Sequence, residues 1–158
     1  MKALFPVALG LFVLIDAAAL AQPEEKITWR LKTAGGSAVL AYGIDNAEGT
    51  PIVFNCRLGS GVVKVFISET SEALKPGQSA TASLPAGRVT VRVPGRMMVN
   101  EEAGVPSFDG SLPASDPLFA ALPTAATLAM AVSSWRLSVP LTELGNKAST
   151  FNGQCKKR

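Results

Sequence analysis

From Lys26 onward the chain alternates apolar and polar side chains, and Gly or Pro interrupts the alternation roughly every ten residues, the spacing of short strands joined by tight turns. A period of two sends successive side chains to opposite faces of an extended segment. Ile27, Trp29 and Leu31 therefore share one face of a first strand, with Lys26, Thr28, Arg30 and Lys32 on the other. The Gly35-Gly36 turn leads to a second strand around Ala38 to Ile44, and Asp45-Asn46 with Gly49 and Pro51 forms a polar loop. Ile52, Phe54 and Cys56 alternate inward along a third strand. Leu58 to Gly61 connects it to Val62 to Ile67, whose near-continuous apolar run predicts a central strand buried on both faces. Beyond Lys75-Pro76-Gly77, a weak strand over Thr81 to Leu84 turns at Pro85-Ala86-Gly87 into Arg88 to Val93, with Val89, Val91 and Val93 facing in. Arg96 to Asn100 should pair with a neighbour, whereas Pro106 to Pro113 reads as loop or short edge strand. Thr127 to Val132 and Trp135 to Val139 are the last two strands.

Two segments depart from period two. Ser115-Asp116-Pro117 combines a capping side chain with a proline tolerated in a first turn, which predicts a short helix near 116–122 that Pro123 ends. Leu144, Ala148, Phe151 and Cys155 follow one another at spacings of four, three and four, one stripe of a helix, with Thr142 as its candidate cap. Many short strands joined by short turns imply antiparallel pairing. The expected fold is mainly β: a β-sandwich or small open barrel with the short helix and a C-terminal amphipathic helix. No internal repeat is visible, which argues against solenoids and propellers.

The start of the chain changes the picture from fold to location. Met1-Lys2 is positive, Ala3 to Ile15 is apolar, and Ala19-Leu20-Ala21 places small residues before Gln22, the pattern of a cleaved export signal over residues 1–21. The apolar stretch is shorter than the roughly 20 residues of a membrane span. The residue directly after the cut is Gln22 and not a cysteine, so a lipoprotein anchor is not expected. Residues 22–158 then form one β-rich domain, exported to the periplasm or secreted. The formal net charge is +3, and Lys156, Lys157 and Arg158 form a basic tail, which leaves the body near neutral. The other cations are scattered without interleaved aromatics, so nucleic acid is not an expected partner.

Candidate chemistry is defined mostly by what is missing. The chain has no histidine, which removes Ser-His-Asp and Cys-His catalysis and the common zinc, copper and haem ligand sets. No Ser-x-x-Lys dyad, Gly-x-Ser-x-Gly elbow or phosphate-cradling Walker loop is present. Asp45, Glu48, Glu69, Asp109 and Asp116 could converge as an acid and base pair, although no spacing favours any two of them. Asp45 to Gly49 has turn residues but not the alternating ligands of a calcium loop. Trp29 and Trp135 are expected in the core, and Met97-Met98 as packing rather than a soft metal site. The expectation is no catalytic residue, no cofactor and no metal.

Cys56 and Cys155 are the only two cysteines, both follow the export signal, and both lie on the apolar side of their own segment. In an oxidising compartment such a pair is expected to bond, clamping the terminal helix to the sheet.

Three islands also carry a resemblance: Trp29 near the start, Ile52-Val53-Phe54-Asn55-Cys56 in the middle, and Val139-Pro140-Leu141-Thr142-Glu143-Leu144 running through Ala148 and Phe151 to Cys155. The pattern is similar to small exported proteins of Gram-negative bacteria, of the invasion-associated locus B type or the periplasmic accessory type of type VI secretion loci. That resemblance implies a β-rich periplasmic domain with an accessory or host-association role and no catalytic residues to carry over. The expected function is a soluble, non-catalytic binding or accessory protein of the cell envelope whose partner is another protein or an envelope component. A carboxylate enzyme acting on envelope glycan and a structural component that self-assembles through an edge strand are the alternatives.

Overall fold

A computed structural model describes residues 26–44 and 49–157. The proposed export signal and the Asp45 to Glu48 part of the polar loop lie outside the described residues. The elements are β1 (Thr28–Ala34), β2 (Ser37–Gly43), β3 (Ile52–Arg57), β4 (Val62–Ile67), β5 (Ser79–Ala86), β6 (Val89–Met98), β7 (Ser107–Pro113), α1 (Leu118–Ala121), β8 (Thr127–Val132), β9 (Trp135–Pro140) and α2 (Lys147–Cys155). All nine strands pair antiparallel in one sheet, ordered β1-β2-β3-β4-β7-β6-β5-β8-β9. The sheet curls into a half-barrel, the open-barrel form of the expected fold rather than two stacked sheets.

One face of the sheet carries the core. Trp29, Leu40, Phe54, Val65, Phe108, Met97, Leu84, Met130 and Val139 contribute one inward side chain per strand, all buried. Leu118, Phe119, Ala148, Phe151 and Cys155 from the two helices complete this cluster. An aromatic chain runs through it, from Tyr42 to Trp29, Phe54, Phe119 and Phe151, with successive ring centroids 5.4, 6.5, 5.8 and 6.0 Å apart. Such offset and edge contacts add to the area buried. Of the expected C-terminal stripe, Ala148, Phe151 and Cys155 lie buried on α2, whereas Leu144 is buried in the turn before the helix begins.

Two glycines make room for the largest ring of β7. Gly95 and Gly110 pair across β6 and β7, and a Cβ on them would fall 2.6 and 2.8 Å from Phe108 Cζ.

At one end of the sheet, α2 is held by backbone and by sulfur. Gly59 N–H donates to Gln154 O at 2.9 Å and Gly61 N–H to Cys155 O at 2.8 Å, which satisfies carbonyls that a helix end leaves orphaned. Beside them Cys56 and Cys155 sit at disulfide distance, their Cα atoms 5.7 Å apart. At the other end, Trp29 Nε1 donates to Pro140 O at 2.7 Å, and Lys26 and Thr28 both hydrogen-bond the Glu143 carboxylate. These bonds, Lys26 foremost and Thr28 next, hold the Glu143 carboxyl below the usual carboxylate range.

Four local expectations are corrected. Val62 to Ile67 is buried on one face only, because the helices cover only the inner side of the sheet and leave Val62 and Phe66 outward, 49% and 36% exposed. Ser107–Pro113 is a central strand between β4 and β7's other neighbour β6, placed there by long-range pairing although its Ser, Gly and Pro content reads as loop. β5 continues through Pro85 to Ala86, and β6 is a single strand across Pro94-Gly95. Thr142 does not cap the last helix: Gly145 at φ 52° turns the chain, Glu143 is drawn to Lys26 and Thr28, and α2 begins at Lys147. The short helix forms as expected, with Asp116 Oδ1 accepting the Leu118 N–H at 2.9 Å.

Candidate functional site

The side of the sheet away from the helices is where the chain leaves apolar surface uncovered. Strand pairing aligns one outward residue from each of six strands in a continuous row: Ala41 on β2, Val53 on β3, Phe66 on β4, Asp109 on β7, Arg96 on β6 and Ser79 on β5. The next row runs Val39, Asn55, Lys64 and Ser111. Alternation explains why these residues face out, since each is one position from an inward core residue.

Phe66 stands between two depressions that share Val53, Phe66 and Asp109 in their walls. One, of about 480 Å³, extends past Met98, Val99 and Asn100 to Glu69 and Glu102. The other, of about 580 Å³, extends past Asn55 and Val62 to Lys64 and Arg57. Together they form a groove with an apolar middle, an acidic end and a basic end. From the basic end Lys64 Nζ comes within 4.0 Å of Asp109 Oδ2 in the shared wall; the lysine is mostly exposed and the aspartate half-buried, so the pair is screened by solvent and contributes little to stability.

The acidic end has a defined wall. Asn100 Nδ2 donates to Ser68 O at 2.7 Å, and its Oδ1 accepts the Ala103 N–H at 3.2 Å, so one side chain ties the segment after β6 to the segment after β4. Ser68 borders this depression, and its buried Oγ has no hydrogen-bond partner among the described residues.

Of the carboxylates considered for catalysis, Glu69 and Asp109 border the same depression, joined there by Glu102. Asp116 is engaged at the start of α1, and Asp45 and Glu48 lie outside the described residues. Trp29 is core, 1% exposed, and Trp135 is half-buried against it. Met97 is fully buried, while Met98 is 41% exposed and lines the groove. Among the described residues no group of three metal-ligating side chains is present, and no helix is long and apolar enough to cross a membrane.

Sequence reasoning did not single out Val53, Phe66, Val62, Met98 or Val99 as surface. The signal was in the Val62 to Ile67 run, where an apolar stretch on a strand with only one covered face must expose half of its side chains. No protein-family model, curated protein or solved structure matches the chain.

Proposed function

We propose that this chain is an exported, non-catalytic binding or accessory protein of the bacterial cell envelope, and that it docks a protein partner along the groove centred on Phe66. The observation that carries this reading is the arrangement of that groove: exposed Phe66, Met98 and Val99 with half-buried Val53 on a hydrogen-bonded sheet, acidic at one end and basic at the other. Apolar surface grouped beside polar rims marks interaction sites on soluble domains. Charge of both signs at opposite ends selects the orientation of what binds. The complementary partner presents an apolar side chain to Phe66, a basic group towards Glu69 and Glu102, and an acidic group towards Lys64 and Arg57. The signal-like start and the similarity to small exported accessory proteins support the compartment and the role.

A photo-crosslinking amino acid in place of Phe66, in protein expressed with its first 21 residues in a Gram-negative host, tests the reading. The expected result is one adduct of defined mass, recovered from the periplasm, on a chain whose mature N-terminus is Gln22. The same probe in place of Thr90, outward on β6 but outside the groove, should give none. Equal labelling from both positions, or none from Phe66, rejects the proposed surface.

The enzyme alternative draws on the three carboxylates around one depression. It requires turnover of an envelope glycan that is lost in Glu69→Gln or Asp109→Asn.

A further inference from the structure

A second feature of the outer face lies beyond the groove and is chemically unlike it. Arg92 on β6, Ser83 on β5, Ala131 on β8 and Arg136 on β9 stand directly opposite one another, in register across four adjacent strands. Three strand spacings of about 4.8 Å separate the two arginine backbones by roughly 14 Å. The residues between them are small, so the floor between the two arginines is low. The result is a depression of about 350 Å³ that Arg92 and Arg136 wall, and that the hydroxyls of Ser79, Thr81, Ser83 and Ser133 line.

Two properties distinguish this trough from an ordinary charged surface. Among the described residues no carboxylate lines it. The seven described acidic residues lie elsewhere: Glu69, Glu102 and Asp109 at the groove, Glu72 and Glu101 around another depression, Asp116 at α1 and Glu143 at Lys26. The second property is the state of the arginines. Arg136 Nη1 donates to Ser133 O and to Trp135 O, so its guanidinium is oriented by its own hairpin while the Nη2 and Nε donors remain available. The Arg92 side chain makes no hydrogen bond or ion pair among the described residues.

Guanidinium forks match tetrahedral oxyanions, and hydroxyls supply further donors to the remaining oxygens. We infer that the trough between Arg92 and Arg136 is a binding site for a phosphate- or sulfate-bearing ligand, with one arginine engaging the anion from each side and the hydroxyl-lined floor holding it in place. The site stands apart from the Phe66 groove and does not depend on the proposed partner.

The test is a titration of the purified protein, followed through its backbone amide NMR signals, with pyrophosphate and separately with a sulfated disaccharide. Saturable shifts confined to Ser79, Thr81, Ser83, Ser133 and their neighbours are expected with at least one probe, and which of them binds identifies phosphate or sulfate as the preferred group. Arg92→Gln and Arg136→Gln should each weaken binding about tenfold, the loss expected for one charge-assisted contact. Arg88→Gln, which removes the same charge at the exposed β5–β6 turn, should leave it unchanged. Because Arg92 and Arg136 are exposed, both variants should keep the parent amide spectrum away from the trough. Shifts spread over all arginines, an equal loss in Arg88→Gln, or no saturation with either probe would overturn the assignment.

Discussion

Individual residues reveal where the packing has no slack. A Cβ on Gly95 would meet Asp109 O at 2.3 Å as well as Phe108, and one on Gly110 would meet Pro94 O at 2.8 Å, so the obstruction in both cases includes backbone of the adjacent strand. Gly95→Ala and Gly110→Ala should each lower the free energy of unfolding by about 1–3 kcal/mol, the usual cost of overpacking, measured by urea denaturation. Gly153→Ala is the counterpart with the opposite sign. Gly153 sits inside α2 with nothing within 4 Å of an added Cβ, so alanine should raise stability by about 0.5–1 kcal/mol. At the seam, hydrogen bonds from Lys26 and Thr28 lower the Glu143 pKa. A depressed carboxyl contributes stability that is present above its unfolded pKa and lost as pH falls through the folded value. The thermal midpoint should therefore decline on acidification below about pH 4.5, the ordinary carboxylate range, and the decline should be shallower in Glu143→Gln.

At the scale of elements, α2 is the piece that tertiary contacts must hold, because its nine residues are too few for an isolated helix to be stable. Its own sequence supplies no side-chain cap at the N-terminus. The helix is secured instead by buried Ala148, Phe151 and Cys155, by Gly59 and Gly61 donating to its last carbonyls, and by the pairing of Cys56 with Cys155. A cross-link over a sequence separation of 99 restricts the unfolded chain, and the loop-entropy relation gives an upper value of about 4–5 kcal/mol. Cys56→Ser/Cys155→Ser, compared with the oxidised parent by urea denaturation, should lose most of that. Phe151→Ala should lose about 3–5 kcal/mol, since it opens the end of the aromatic chain beside Phe119.

Across the whole molecule, the sheet order assigns stability to strands according to their neighbours rather than their composition. β4, β7 and β6 are flanked on both sides, whereas β9 has one neighbour and exposes Arg136, Leu137 and Ser138. Hydrogen exchange should show slow amides across β3, β4 and β7, including the Ser- and Gly-containing β7, and markedly faster ones in β9. Exchange in β7 as fast as in β9 would contradict the sheet order. The other edge, β1, has more support, since Thr33 Oγ1 hydrogen-bonds Gln154 of α2 at 3.0 Å and Trp29 reaches Pro140.

Much of this architecture was legible along the chain because period-two alternation is a local property: Trp29, Phe54, Val93 and Val139 declare their inward face through their immediate neighbours. Compartment chemistry and the apolar side of each segment were likewise enough to pair Cys56 with Cys155 as an expectation. What the chain could not declare is which second face stays uncovered. Val62 to Ile67 has the same composition whether it is covered on one side or two, and only the placement of both helices on the inner side leaves Phe66 outward. Ser107–Pro113 has weak strand propensity and becomes central through pairing with β4 and β6, where Gly110 must meet Gly95 under the ring of Phe108. Both candidate sites are products of that assembly: Phe66 pairs with Val53 and Asp109, and Arg92 and Arg136 border one trough, only because antiparallel register carries residues far apart in sequence onto common rows.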